Sequence, residues 1–164
     1  MVGPTKPFAE AVASWDRQVY AGDLAAAEAM RAEVVERFPL ADWPTMSLDR
    51  YALGTPNSAE SFCYAMEFGT RQLGSMSGGS SRKLLIFKRR DTGSWDFGRW
   101  FSSADEAWTA VRNGFVRVFD AVGAGDVDAL GDLMPLDRAP ALTIKAVWSW
   151  VRIPPGSPAP VVCQ

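Results

Sequence analysis

The stretch that decides the fold is residues 103–125, which read SADEAWTAVRNGFVRVFDAVGAG. Ser103, followed three residues later by Glu106, forms the capping-box pattern that begins a helix. Apolar residues then recur at intervals of three and four, which is typical of one buried face of an α-helix. They are Trp108, Val111, Phe115, Val118 and Val122. Glycines at 123 and 125 predict where the helix ends. The stretch therefore predicts one long amphipathic helix whose apolar face packs into the core.

Helical patterns lie on both sides of this stretch. Near the start of the chain, Phe8, Val12, Trp15 and Val19 fall on one face of a first helix, and Gly22 predicts its end. A second helix is predicted from Asp23 to about residue 38, so the two would form a helical hairpin. We expect further helices over residues 47–53, 59–73, 126–133 and 141–150.

A β-hairpin is predicted between the helix over residues 59–73 and residue 103. Residues 83–89 and 94–101 have strand composition, and Asp91-Thr92-Gly93 between them is typical of a hairpin turn. The predicted fold is α+β and predominantly helical, with about five or six helices and this small antiparallel hairpin. Residues 1–150 are expected to form a single domain. Residues 151–164 are a Pro-rich tail for which we predict disorder.

Composition and charge exclude several functional classes. The chain has 164 residues, a formal net charge of −2, and no apolar run of the ~20 residues that a membrane span needs. The N-terminus lacks the apolar segment of a signal peptide, so we expect a cytoplasmic protein without membrane contact. Histidine is absent and there are two cysteines, which excludes Ser-His-Asp and Cys-His catalysis, His-ligated zinc and Cys₄ zinc sites.

A nucleotide-binding loop is also excluded. Gly69 and Gly74 have the glycine spacing of a Walker A motif, but the lysine that should follow Gly74 is replaced by Ser75. The motif also follows a helix and precedes a strand, which is the reverse of a phosphate-binding loop. We therefore predict no enzymatic activity, no cofactor and no metal.

The candidate binding residues lie where a Gly/Ser-rich loop runs into the predicted hairpin. Cations and hydroxyls cluster there beside Trp95 and Trp100, a combination typical of nucleic-acid surfaces. The candidates are Ser80, Ser81, Arg82, Lys83, Lys88, Arg89, Arg90 and Arg99. The alternative is a solvated hairpin whose lysines and arginines protect a sheet edge. From the residues alone, we favour that alternative.

Several short motifs occur in a specific order along residues 15–148, which is nearly the whole chain. They include RFPL at 37–40, LDRY at 48–51, SFCY at 61–64, LGSMSGGSS at 73–81, LIFK at 85–88, EAW at 106–108 and ALTIK at 141–145. In this order the chain resembles the N-terminal region that precedes the AAA+ GTPase module in some McrB-type proteins of modification-dependent restriction systems. The resemblance implies binding to DNA, including modified DNA, and contact with a partner protein of a restriction system. The alternative function is a protein-interaction module that assembles a defence complex.

The end of the chain departs from that family pattern. Family members continue into a longer chain and the motor module, whereas this sequence stops at Gln164 after VRIPPGSP at 151–158. An in-frame reading of a tRNA T-arm, GTTCGAATCCC, encodes Val-Arg-Ile-Pro. We therefore hypothesise a truncated gene whose tail is accidental coding; the alternative is an ordinary Pro-rich linker.

Overall fold

The structure is a computed structural model that describes residues 21–76, 81–126, 133–152 and 161–162. Its architecture is α+β and predominantly helical, as the sequence predicts. The first predicted helix, over residues 8–19, and the short helix over 126–133 lie wholly or mostly outside the described residues. No helix in the described part of the chain is both long enough and apolar enough to span a membrane.

The long helix predicted from residues 103–125 is confirmed. It spans Ala104–Ala124, begins with Ser103 Oγ accepting the Glu106 N–H, and ends at Gly125 in the left-handed conformation. The second half of the capping box is shifted by one residue, because Glu106 Oε2 accepts from the backbone and hydroxyl of Ser102. All five predicted stripe residues are buried.

Aromatic rings from four parts of the chain meet on that apolar face. Phe62 is fully buried and contacts Phe38, Trp43, Tyr51, Phe115 and Trp150, with centroids 4.9–6.0 Å apart. Edge-on and tilted contacts of this kind add to the stability that burial alone provides. The core therefore joins segments more than a hundred residues apart in sequence.

The described residues contain four other α-helices, three before the long helix and one after it. The three that precede it are α1 (Ala21–Arg37), α2 (Leu48–Tyr51) and the single turn α3 (Phe62–Tyr64). We call the long helix α4, and the last helix, Pro140–Trp150, is α5. Gly22 lies inside α1, so the prediction that it ends a helix is wrong. Ser47 caps α2 by accepting the Arg50 N–H, as its type and position suggest.

The helix predicted over residues 59–73 is broken into four short pieces. A 3₁₀ turn at Ser58–Glu60 leads to α3, then to a π-helix at Ala65–Gly69 and a second 3₁₀ turn at Arg71–Leu73. Thr70 Oγ1 donates to the carbonyls of Ala65 and Met66, which would pair within a continuing α-helix. The wider π turn places Tyr64 and Phe68 at the surface while Met66 and Glu67 stay buried.

The predicted hairpin is present but much shorter than expected. Strand β1 (Phe87–Lys88) pairs antiparallel with β2 (Trp95–Asp96), across the turn that contains Gly93. Lys83 belongs to a 3₁₀ turn at Ser81–Leu84 rather than to a strand. Leu85 follows at φ 68°, a left-handed conformation that bulky residues rarely adopt, and it redirects the chain into β1.

A second short ladder lies after α5. Strand β3 (Val151–Arg152) pairs antiparallel with β4 (Val161–Val162). These four residues have paired backbone where the sequence predicts disorder. The rest of that tail, residues 153–160 and 163–164, lies outside the described residues, so the expectation there stays a prediction.

Candidate functional site

A broad groove of about 900 Å³ lies beside the β-hairpin, and we call it the basic groove. One wall is the hairpin with its turn, and the opposite wall is the π-helix. Its lining includes four cations, three carboxylates and two exposed aromatic rings. They are Arg82, Lys88, Arg89, Arg90, Glu67, Asp91, Asp96, Tyr64 and Phe68.

The loop at Leu53–Gly54 fixes the floor of the basic groove. The Lys88 N–H donates to the Leu53 carbonyl over 2.8 Å, which joins the loop to β1. Gly54 has φ +88°, and a Cβ there would lie 1.9 Å from the Lys88 carbonyl oxygen. Only glycine permits this close approach, so the position of β1 depends on the absence of a side chain at residue 54.

The structure brings most of the predicted binding residues together. Ser81, Arg82, Lys88, Arg89 and Arg90 all line the basic groove. Ser80 lies outside the described residues. Lys83 and Arg99 do not line this groove, so the eight predicted residues do not form one surface.

Lys83 is directed inward, which is a correction to its predicted role. Its ammonium lies 2.7 Å from Glu67 Oε1, and the two side chains are 20% and 11% exposed. It also donates to the Met76 carbonyl. A cation held this way fixes the residues on either side of the Gly/Ser-rich loop, and a phosphate would have to displace Glu67 to reach it.

A buried lysine lies close to this half-buried pair. Lys145 on α5 is 5% exposed and donates to the Met66 and Gly74 carbonyls over 2.7 and 2.6 Å. Burial lowers its pKa from 10.5 to about 8, and the Glu67 carboxylate partly offsets that effect. Lys145 therefore joins the last helix to the π-helix and to the end of the 3₁₀ turn that follows it.

Two cations of the basic groove contact other side chains: Arg89 pairs with a carboxylate, and Lys88 lies over an aromatic ring. Arg89 makes a two-pronged pair with Asp91, at 3.2 and 2.9 Å, and hydrogen bonding from Arg89 lowers the pKa of Asp91. Lys88 Nζ lies 5.5 Å from the centre of the Trp95 ring across the hairpin. Because the Arg89–Asp91 pair is exposed to solvent, it is weak enough for a phosphate to compete with it.

A second, smaller groove of about 490 Å³ continues past Arg82 and Asp96, which line both cavities. We call it the Trp100 groove. Its remaining lining residues are Leu85, Phe97, Gly98, Arg99, Trp100 and Arg138. Arg99 therefore joins the predicted cluster through Arg82 rather than through a long strand, because β2 ends at Asp96.

Sequence reasoning missed two parts of the site. Tyr64 and Phe68 form an exposed ring pair, 4.9 Å apart, at the wall of the basic groove. Their i, i+4 spacing within the predicted helix over residues 59–73 is the available signal. Arg138 had no local signal, because it reaches the Trp100 groove from a turn that is forty residues away in sequence.

The fold and site define a small α+β protein with two adjoining basic grooves beside a short hairpin. Among the described residues, no group of three or more His, Cys, Asp or Glu side chains is placed to hold a metal ion. Neither a family model, nor a curated protein, nor a solved structure matches this chain.

Proposed function

We propose that this protein is a non-catalytic DNA-binding domain of a McrB-like restriction or defence system. The observation that carries the proposal is that Arg82, Lys88, Arg89 and Arg90 line one groove. Lysine and arginine in this arrangement contact backbone phosphates, which supply most of the affinity in DNA binding. The motif order shared with the McrB-type N-terminal region supports the same class of ligand.

The charge of the two grooves supports the proposal, although the net charge of the whole chain is negative. The two grooves together are lined by six cations and three carboxylates, whereas the whole chain carries a formal charge of −2. One of those carboxylates, Glu67, is already neutralised by Lys83. A negatively charged ligand is therefore attracted to this surface and repelled by the rest of the protein.

The test is duplex binding measured by fluorescence anisotropy from about 50 to 200 mM salt, with unmethylated and methylated duplexes. Four phosphate contacts give a slope of log K against log salt of about −3.6. The double variant R89A/R90A should reduce that slope by about 1.8. The matched control is Arg71→Ala, which removes an exposed arginine that lines neither groove. No binding at low salt, or equal effects of all variants, would refute the proposal.

The second candidate function is a protein-interaction module, and one observation favours it. Ile144 and Trp148, one turn apart on α5, are 57% and 56% exposed and line neither groove. Exposed apolar side chains of this size are typical of interaction surfaces. Replacing both with lysine should leave DNA binding unchanged if DNA is the ligand. If the double variant loses binding to a restriction-system partner protein but keeps DNA binding, the protein-interaction function would be favoured instead.

A further inference from the structure

The Trp100 groove has a second kind of recognition element beside its cations. The Trp100 side chain is exposed at 47%, although its ring is one of the largest apolar surfaces in the chain. The ring lies against Gly98, where a Cβ would come within 2.4 Å of Cζ2. Any other residue at position 98 would push the ring away. The ring is therefore held from one side and open to solvent on the other.

Guanidinium groups surround the open side of this groove. Arg82, Arg99 and Arg138 line it together with one carboxylate, Asp96. The Arg82 side chain is 79% exposed and lies 3.9 Å from Asp96, and Arg138 is 62% exposed and lies 3.5 Å from Asp137. Both guanidinium groups are therefore open to solvent, where a phosphate can reach them, and exposed ion pairs of this kind contribute little.

An open aromatic face with cations beside it fits a nucleotide better than it fits a bare phosphate. The ring stacks on a base, and the guanidinium groups bind the phosphates on either side of it. The cavity of about 490 Å³ lies within the range of about 300–1,000 Å³ that is usual for small-ligand pockets. Because Arg82 lines both grooves, a strand whose base lies on Trp100 can continue along the basic groove.

The exposed Trp100 ring indicates whether this groove binds single-stranded or duplex DNA. In a duplex both faces of each base are covered by neighbouring base pairs, and exposing one costs unstacking energy. A single strand presents base faces without that cost. We propose that the Trp100 groove binds an unpaired base of single-stranded DNA, with the adjoining phosphates on Arg82 and the basic groove. This inference rests on the proposed DNA-binding function and assigns its preferred substrate.

The experiment compares Trp100→Ala with Trp148→Ala, which removes a second exposed tryptophan, one that lines neither groove. Anisotropy is measured with a labelled 20-nucleotide poly-dT strand and with a 20-base-pair duplex at the same salt. Trp100→Ala should weaken single-strand binding about 5- to 150-fold and leave duplex affinity and its salt slope unchanged. Trp148→Ala should change neither, and Trp100→Phe should restore part of the single-strand affinity. Thermal melting of each variant checks that the fold is kept.

The outcomes separate this inference from the proposed function. Salt-dependent DNA binding with no single-strand defect in Trp100→Ala would overturn the inference alone. Equal weakening of single strand and duplex would also overturn it, since that would show a general role for the ring. A wild-type protein that binds neither DNA would overturn the proposed function and the inference together.

Discussion

Replacing Lys145 with methionine should remove a pH dependence from the stability of the protein. The Lys145 ammonium is buried against two backbone carbonyls, and its pKa falls from 10.5 to about 8 on folding. Between these two values the unfolded chain binds more protons than the folded one, so stability rises with pH. Below pH 8 both states are protonated and the full cost of burying the charge is present.

The size of the effect follows from the separation of the two pKa values. One pH unit corresponds to about 1.4 kcal/mol, so the stability gained between pH 8 and 10.5 is about 3 kcal/mol. Methionine has a similar length and no charge, and it cannot make this gain. It also leaves the Met66 and Gly74 carbonyls without the lysine donor. This loss lowers the unfolding free energy of the variant by about 1–3 kcal/mol at every pH.

The assay is urea unfolding followed by tryptophan fluorescence, for wild type and Lys145→Met, in half-unit steps from pH 6.5 to 10.5. The quantity to plot is the difference in unfolding free energy between the two proteins. Burial raises the pKa values of Tyr51 and Cys63, but both groups titrate in both proteins, so their contributions cancel. A difference that stays constant from pH 8 to 10.5 would refute the claim that this ammonium is buried.

Three further substitutions test the core, a helix cap and the groove. Phe62→Ala should cost about 3–5 kcal/mol of unfolding free energy in urea, because a fully buried ring with five aromatic neighbours is lost; a cost below about 1 kcal/mol would contradict this packing. Ser103→Ala should cost about 1 kcal/mol, measured by thermal melting, because the Glu106 N–H loses its acceptor; an unchanged midpoint would contradict the cap. Asp91→Asn should remove the carboxylate that competes for Arg89 and tighten duplex binding about 1.4- to 5-fold at fixed salt in anisotropy titrations, with the salt slope unchanged; weaker binding would contradict this role for Asp91.

The groove carboxylates change how strongly this surface binds phosphate, which a count of its cations alone does not show. Asp91 pairs with Arg89 through two hydrogen bonds before any ligand arrives. Such pairs reduce affinity for phosphate, but they also reduce the side-chain entropy that binding must remove. The Asp91→Asn measurement shows which effect is larger.

The candidate site was predictable where its residues are neighbours in sequence. Arg89 and Arg90 precede a turn marked by Asp91-Thr92-Gly93, so their exposure at a hairpin followed from local chemistry. Lys83 was assigned to a strand and to the binding surface because nothing nearby in sequence indicates Glu67. That carboxylate reaches it only because a π turn interrupts the predicted helix. Likewise, Arg138 reaches the Trp100 groove through tertiary packing alone.

The sequence by itself determined the long helix, its cap and the α+β class. Those depend on periodicity and on hydrogen bonds between residues within four positions of each other, and both can be read along the chain. Only the tertiary structure decided which cations face the groove, how short the hairpin is, and that Trp100 lies open above Gly98. These features depend on contacts between distant segments, where burial and close approach override local preference.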